Sequence, residues 1–304
     1  MAGAGIWQQR GAHDDANMFM KIDCHVFITG ASSGIGASLA RVMAARGYRV
    51  SAVARRRDKL EALQAEYPTI TAIQADVSKH ESVIKALHLA KDQNGQIDMA
   101  VLNAGIYQPV NAAAFELSVY HQHMAVNYTG ILNCLDGLIP EMVARKSGHI
   151  AFMASVAGYR GLPRSAAYGP TKAAVQNLAE SIYFDLAPLG IKIQLINPGF
   201  VKTEATAVND FIMPDLISSE VAAKQLFEGL CSDQFEIAFP KRFVRKMKCH
   251  RGRLGVDAMA TPDADGHFML VSAPLQGCKK SLDIRNQKVC RAYQLNVETG
   301  VQHI

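Results

Sequence analysis

Cys24-His-Val-Phe-Ile-Thr29, running into Gly30-Ala-Ser-Ser-Gly34-Ile-Gly36, is the stretch that decides the fold. Its first half reads as a buried strand, and a helical pattern over 37–46 opens directly behind the glycines. Glycines 30, 34 and 36 leave the backbone bare where strand becomes helix. A pyrophosphate can then approach the N–H groups of the helix N-terminus, whose free donors and partial positive charge favour an anion. A turn that merely reverses the chain is the plain alternative, but the strand before it and the helix behind it favour the binding reading.

Outward from this turn, strands at 48–54, 70–75, 98–103, 148–154 and 192–196 alternate with helices at 57–66, 82–92 and 166–186 and a long helical stretch at 118–145. Strict alternation implies parallel pairing, and right-handed crossovers then place helices on both faces. The expected fold is α/β, a doubly wound, mostly parallel sheet with ligands at the carboxyl ends of the strands. After Pro198 the rhythm changes. Residues 197–214 are irregular, Ser219 caps a helix over 220–230, and a last strand at 235–239 is stopped by Pro240. The expected organisation is a disordered extension at 1–20, with Met18 or Met20 the more natural start, one domain over 21–250 and a C-terminal extension over 251–304. No internal repeat is present.

The 304 residues are 49% hydrophobic and 19% charged, a globular composition with ample core material. No apolar run approaches the ~20 residues needed to span a bilayer, and residues 1–18 lack the apolar core of a secretory signal. The six cysteines show neither metal-site nor Cys-x-x-Cys spacing, so they read as small core hydrophobes in a reducing cytoplasm. The net charge of +5 comes from the cluster 241–253, without which the chain is near neutral. That balance gives no argument for a nucleic-acid partner. The cluster either meets an anionic membrane surface peripherally or is a solvated helix face. His121 and His123 have no further ligand at metal spacing, so no metal is expected.

Tyr168-Gly-Pro-Thr-Lys172 carries the chemistry. A tyrosine and a lysine four apart share one helical face. An ammonium beside a phenol favours the phenolate, which would bring a group of reference pKa about 10 into use as a proton donor or acceptor. Pro170 is best tolerated in a first helical turn, so Tyr168 should stand at a helix start.

With these residues in view, the chain resembles the short-chain dehydrogenase/reductase family, of Rossmann-like fold. Thr29-Gly-Ala-Ser-Ser-Gly-Ile-Gly36 is similar to its Thr-Gly-x3-Gly-x-Gly motif, and Asn103-Ala104-Gly105 to its Asn-Ala-Gly motif. Asn127, Ser155, Tyr168 and Lys172 stand where the family has its four catalytic positions, and Asn197-Pro198-Gly199 with Thr203 resembles its turn after the sixth strand. The resemblance covers about 22–240.

It implies hydride transfer between a nicotinamide cofactor and a small carbonyl or alcohol substrate. Tyr168 would be the acid/base, Lys172 would hold the nicotinamide ribose, Ser155 would bond the substrate oxygen, and Asn127 would hold a relay water. Gly30, Ser32, Ser33, Gly34, Ile35, Gly36, Asp76, Val77, Asn103, Ala104, Gly105, Pro198, Gly199 and Thr203 would line the cofactor, together with Tyr168 and Lys172. A homodimer or homotetramer through the helices at 118–145 and 166–186 is likewise implied.

The end of the second strand bears on the cofactor. An NAD site places a carboxylate there for the ribose 2′-OH, whereas this chain has Ala54 followed by Arg55-Arg56-Arg57. A guanidinium binds a 2′-phosphate that a carboxylate would repel. Arg55 stands at the family's position for this contact, which points to NADP(H) in preference to NAD(H). Solvated arginines are the plain alternative. Phenylalanines and methionines between 200 and 243 line an apolar pocket or belong to the core. A dinucleotide-binding regulatory or scaffold protein without turnover, and an epimerase on the same fold, are the competing functions.

Overall fold

The computed structural model of the protein describes residues 24–250, so the expectations for 1–20 and 251–304 lie outside the described residues. The first half runs β1 (His25–Thr29), α1 (Gly34–Ala44), β2 (Arg49–Ala54), α2 (Arg57–Glu66), β3 (Ile70–Gln74), α3 (His80–Asn94) and β4 (Met99–Leu102). Next come α4 (Leu117–Met124), a π turn over Ala125–Thr129, α5 (Gly130–Arg145), β5 (Gly148–Met153), α6 (Gly169–Leu186) and β6 (Ile191–Pro198). The short β7 (Val201–Lys202) and β8 (Ile217–Ser218) pair with each other, and α7 (Ser219–Leu230), β9 (Glu236–Phe239) and α8 (Lys241–His250) follow.

Seven strands form one sheet in the order β3-β2-β1-β4-β5-β6-β9, every pairing parallel. Strand order reverses between β1 and β4, which opens a crevice at their carboxyl ends. The strands are continuous apolar runs because both faces are covered. Successive residues alternate between two cores. Phe27, Leu102, Ile150 and Phe152 join α3, α5 and α6 on one side. Val26, Ile28, Val101 and Met153 join α1, α2 and α7 on the other. Fully burying a Phe152 or an Ile28 contributes about 1.5–3 kcal/mol each.

Four expectations need correction. The stretch 118–145 is not one α-helix, since the π turn separates α4 from α5. Helix α6 begins at Gly169, with Tyr168 as the residue that enters it. Asn197 and Pro198 belong to β6 and so end a strand. Ser218, not Ser219, caps α7, its hydroxyl accepting the Val221 N–H at 3.3 Å.

In α8, Phe243, Val244 and Met247 are buried while Lys241, Arg242, Arg245 and Lys246 are exposed. Lys248 pairs with Glu236. No helix among the described residues is long and apolar enough to cross a membrane.

Candidate active site

The glycine turn is tied down from below. Gly30 and Gly34 adopt φ of +69° and +55°, a region that glycine enters without strain. Asn103 Nδ2 donates to the carbonyls of Thr29 at 2.9 Å and Gly30 at 3.3 Å, and the Ala104 N–H donates to Thr29 Oγ1 at 3.0 Å. Above it, a Cβ on Gly34 would meet Thr203 Cγ2 at 3.0 Å, so Thr203 rests on the turn.

No side chain caps α1. Its N-terminal N–H groups are left to an incoming anion, while the two serine hydroxyls face a guanidinium. Arg56 Nε and Nη2 donate to Ser32 Oγ at 3.2 and 3.0 Å, Nη2 also donates to Ser33 Oγ at 2.7 Å, and Nη1 pairs with Glu204 Oε2 at 2.7 Å. A guanidinium, two hydroxyls and an uncapped helix end form a donor set that fits a phosphorylated dinucleotide.

Arg56, missed from sequence, is thus the arginine brought to the turn, and Arg55 is set differently. The Arg55 carbonyl accepts from Gln74 Nε2 at 2.9 Å. Burial would raise the Asp76 carboxyl, but hydrogen bonds from the Ser78 hydroxyl and N–H, helped by the charges of Arg55 and Lys79, hold it below its usual range. Val77 packs against Gly130 of α5, and its carbonyl accepts from Asn133 Nδ2 at 2.8 Å.

Asn127 is fully buried at the centre of the π turn. Its Oδ1 accepts the Ile106 N–H at 2.8 Å, and its Nδ2 donates to the Ile106 carbonyl at 3.0 Å and to Thr171 Oγ1 at 3.1 Å. The wider turn aims the amide at the loop after β4, where Gly105 keeps the space open. A Cβ there would lie 3.3 Å from Asn127 Oδ1 and 3.4 Å from Lys172 Nζ. Lys172 Nζ donates to the Met153 carbonyl at 2.7 Å and stands 5.6 Å from the centre of the Tyr168 ring.

Ser155 ends β5. Its hydroxyl accepts the Ala157 N–H at 3.1 Å, and its carbonyl is fixed by Gln176 Nε2 at 2.8 Å. The same Nε2 reaches Asn197 Oδ1 at 2.9 Å and so couples the ends of β5 and β6. The Ser155 hydroxyl donates to the Pro198 carbonyl at 3.4 Å, a long contact, and lies near enough to the Tyr168 phenol to hold its shift back.

Tyr168 is half-buried. Burial pushes the phenol up to about 12, with Tyr107 adding to the shift and Ser155 opposing it. Burial also brings the Lys172 ammonium down to about 8. The expected lowering of the tyrosine by Lys172 is not seen, because burial sets an upward shift. Loss of solvation is the dominant effect at both groups, and it drives both toward their neutral forms.

Lys172 carries a consequence for stability. Its native value is depressed from 10.5 to about 8, so below pH 8 its buried charge costs roughly 3 kcal/mol. The cost fades as the pH rises through 8 toward 10.5, where the native amine has lost its proton and the unfolded one still holds it. Lys172→Met removes the charge but leaves the Met153 carbonyl without its donor. The variant is expected to melt about 2–6 °C higher than wild type at pH 7, a gain that disappears in strong alkali. Melting curves across pH check this, and a lower Tm at pH 7 would sink it.

The substrate side is built from loops. Tyr107 packs edge-on against Tyr168, with ring centres 5.1 Å apart, and its hydroxyl donates to Asn209 Oδ1 at 3.0 Å. Arg164 pairs with Asp210 at 2.7 Å. The phenylalanines divide. Phe239 and Phe243 are core, Phe227 packs on Tyr48 and Phe235 on Tyr183. Only Phe200 and Phe211, 5.8 Å apart, lie on the segment after β6. Ile212 beside them is 93% exposed.

His123 is a satisfied core histidine. Its Nε2 accepts the Gln108 N–H at 3.1 Å, which leaves Nδ1 to donate to the Val119 carbonyl at 2.7 Å. Among the described residues no group of side chains is arranged to hold a metal ion.

Thr171, Gln176 and Tyr107 were not singled out from sequence. The first two follow Tyr168 on α6 at helical spacing, which is a usable signal. Tyr107 follows the Asn103-Ala-Gly105 turn but has no pattern of its own.

The family model described as short chain dehydrogenase matches residues 24–210. An uncharacterized oxidoreductase of Myxococcus xanthus is 37% identical over 217 residues, covering 70% of this chain and 86% of the relative. The crystal structure of 3-ketoacyl-(acyl-carrier-protein) reductase from Brucella melitensis, complexed with NADH, is 28% identical with a TM-score of 0.66, covering 71% of this chain and 96% of that one. The closed form of serine dehydrogenase complexed with NADP+ shares the fold at 23% identity and a TM-score of 0.65, covering 71% of this chain and 94% of that one. Sheet order, glycine turn and family match agree, and the chain belongs to the short-chain dehydrogenase/reductase family of oxidoreductases.

Proposed function

We propose that the protein is an NADP(H)-dependent oxidoreductase that interconverts a carbonyl and an alcohol, with Tyr168 as the acid/base. The observation that carries this reading is the placing of Tyr168 at the entry of α6, beside Ser155 and with Lys172 Nζ 5.6 Å from its ring centre. A nicotinamide, when bound, supplies or accepts the hydride.

In the reducing direction Tyr168 gives its proton to the substrate oxygen, and a phenol driven toward its neutral form holds that proton ready. Ser155 donates to the same oxygen and fixes its position. Lys172 is in place to hold the ribose hydroxyls and, charged below about pH 8, to stabilise the phenolate that forms. Asn127, with both faces of its amide on Ile106, fixes the loop that borders Lys172. Arg56 with Ser32 and Ser33 would take the 2′-phosphate, with Arg55 next to it in the chain. No carboxylate at Ala54 stands in the way.

Nicotinamide absorbance, followed with a panel of aldehydes, ketones, quinones and 3-oxoacyl thioesters, tests the reading. NADPH should exceed NADH in kcat/KM by at least about tenfold, and an equal or higher value with NADH would overturn the cofactor assignment. The double variant Arg55→Ala/Arg56→Ala should lower kcat/KM for NADPH by about 10–100-fold, the scale of one or two charge-assisted phosphate contacts. NADH should change by less than about threefold.

A further inference from the structure

Arg56 has a second partner besides the serines of the turn. Its Nη1 is held by Glu204 at 2.7 Å, a residue 148 positions later in the chain and next to the Thr203 that rests on Gly34. Glu204 rides on a tight turn, since the Ala207 N–H donates to the Thr203 carbonyl at 3.1 Å and Thr206 Oγ1 donates to the Val201 carbonyl at 2.7 Å. The carboxylate is therefore presented to the guanidinium by a fixed piece of backbone. The Arg56 hydrogen bond holds its carboxyl below the usual range.

We propose that Glu204 is a cofactor-specificity residue that competes, inside the free protein, with the 2′-phosphate of NADP(H) for Arg56. The inference rests on the NADP(H) reading above. The side chains of Arg56 and Glu204 are 42% and 61% exposed, and such pairs are weakly held. A phosphate carries more charge and offers several oxygens to the same fork of donors. It therefore displaces the carboxylate, at the cost of part of its own affinity. NADH, which lacks that phosphate, leaves the Arg56–Glu204 pair in place and gains nothing when Glu204 is removed.

The test is direct binding of NADPH and NADH, by calorimetry or cofactor fluorescence, to wild type, Glu204→Gln, Arg56→Gln and the double variant. Glu204→Gln should tighten NADPH by about two- to fivefold, the scale of losing one exposed ion pair. NADH should move by less than about 1.5-fold, and the effect should vanish in the Arg56→Gln background. A merely structural role would move both cofactors together, and that outcome overturns the proposal. So does an NADPH affinity in Glu204→Gln that is unchanged or weaker than wild type. Wild type binding NADH as tightly as NADPH would instead remove the NADP(H) reading, and this inference with it.

Discussion

Tyr168→Phe abolishes turnover: kcat falls by more than about 100-fold, the range for losing a positioned proton donor. The variant keeps the ring and its edge-on contact with Tyr107 at 5.1 Å between centres, so packing at the mouth is retained. It loses only the hydroxyl, the group proposed to hand its proton to the substrate. The Kd for NADPH should therefore stay within about threefold of wild type, and Tm should change little, because the ring packing is kept. Retained activity above about 1% would refute the proton-transfer role. Lost activity together with lost NADPH binding would point instead to a collapsed site.

Gly36→Ala has the second large effect, on the fold as well as on binding. A Cβ at this position would lie 2.5 Å from the Gly30 carbonyl oxygen and 2.5 Å from Asn103 Nδ2. The first is backbone, and the second is the amide that holds the carbonyls of Thr29 and Gly30. Neither can yield without opening the turn that links β1 to α1. Overpacking of this kind costs about 1–3 kcal/mol, and Tm should drop by about 3–10 °C. NADPH affinity should fall by more than about tenfold, since the N–H groups of α1 lose their alignment. Calorimetry and thermal melts decide it, and a variant within about 1 °C and twofold of wild type would show that the turn has room to spare.

The sheet was legible because short continuous apolar runs and glycine turns are local signals. The last strand, expected at 235–239, is found at Glu236–Phe239, and Tyr168 enters its helix as Pro170 indicated. What escaped the sequence reading was non-local. The segment 125–129 holds no proline or glycine to betray a break, because its widening follows from the bonds between Asn127 and Ile106, 21 residues apart.

Three consecutive arginines follow β2, and which of them turns toward Ser32 depends on where the strand ends and α2 begins, a detail finer than pattern reading resolves. Protonation at the Tyr168–Lys172 pair is set by burial rather than by spacing. Spacing on a helix correctly put Lys172 near Tyr168, but burial, a property of the whole fold, set the direction of both shifts. Glu204 was invisible for the same reason that makes it interesting, since nothing near it in sequence mentions Arg56.

The π turn over Ala125–Thr129 has a consequence of its own. An α-helix advances about 100° per residue, so a turn that takes in one extra residue rotates everything before it relative to everything after it. Asn127 therefore owes its inward aim to a count of residues rather than to their kind. Shortening the segment by a single residue would let α4 and α5 fuse into an ordinary helix and swing the asparagine off Ile106, while the seven-stranded sheet had no reason to change. Chain length at this one place is a switch between a site and a scaffold.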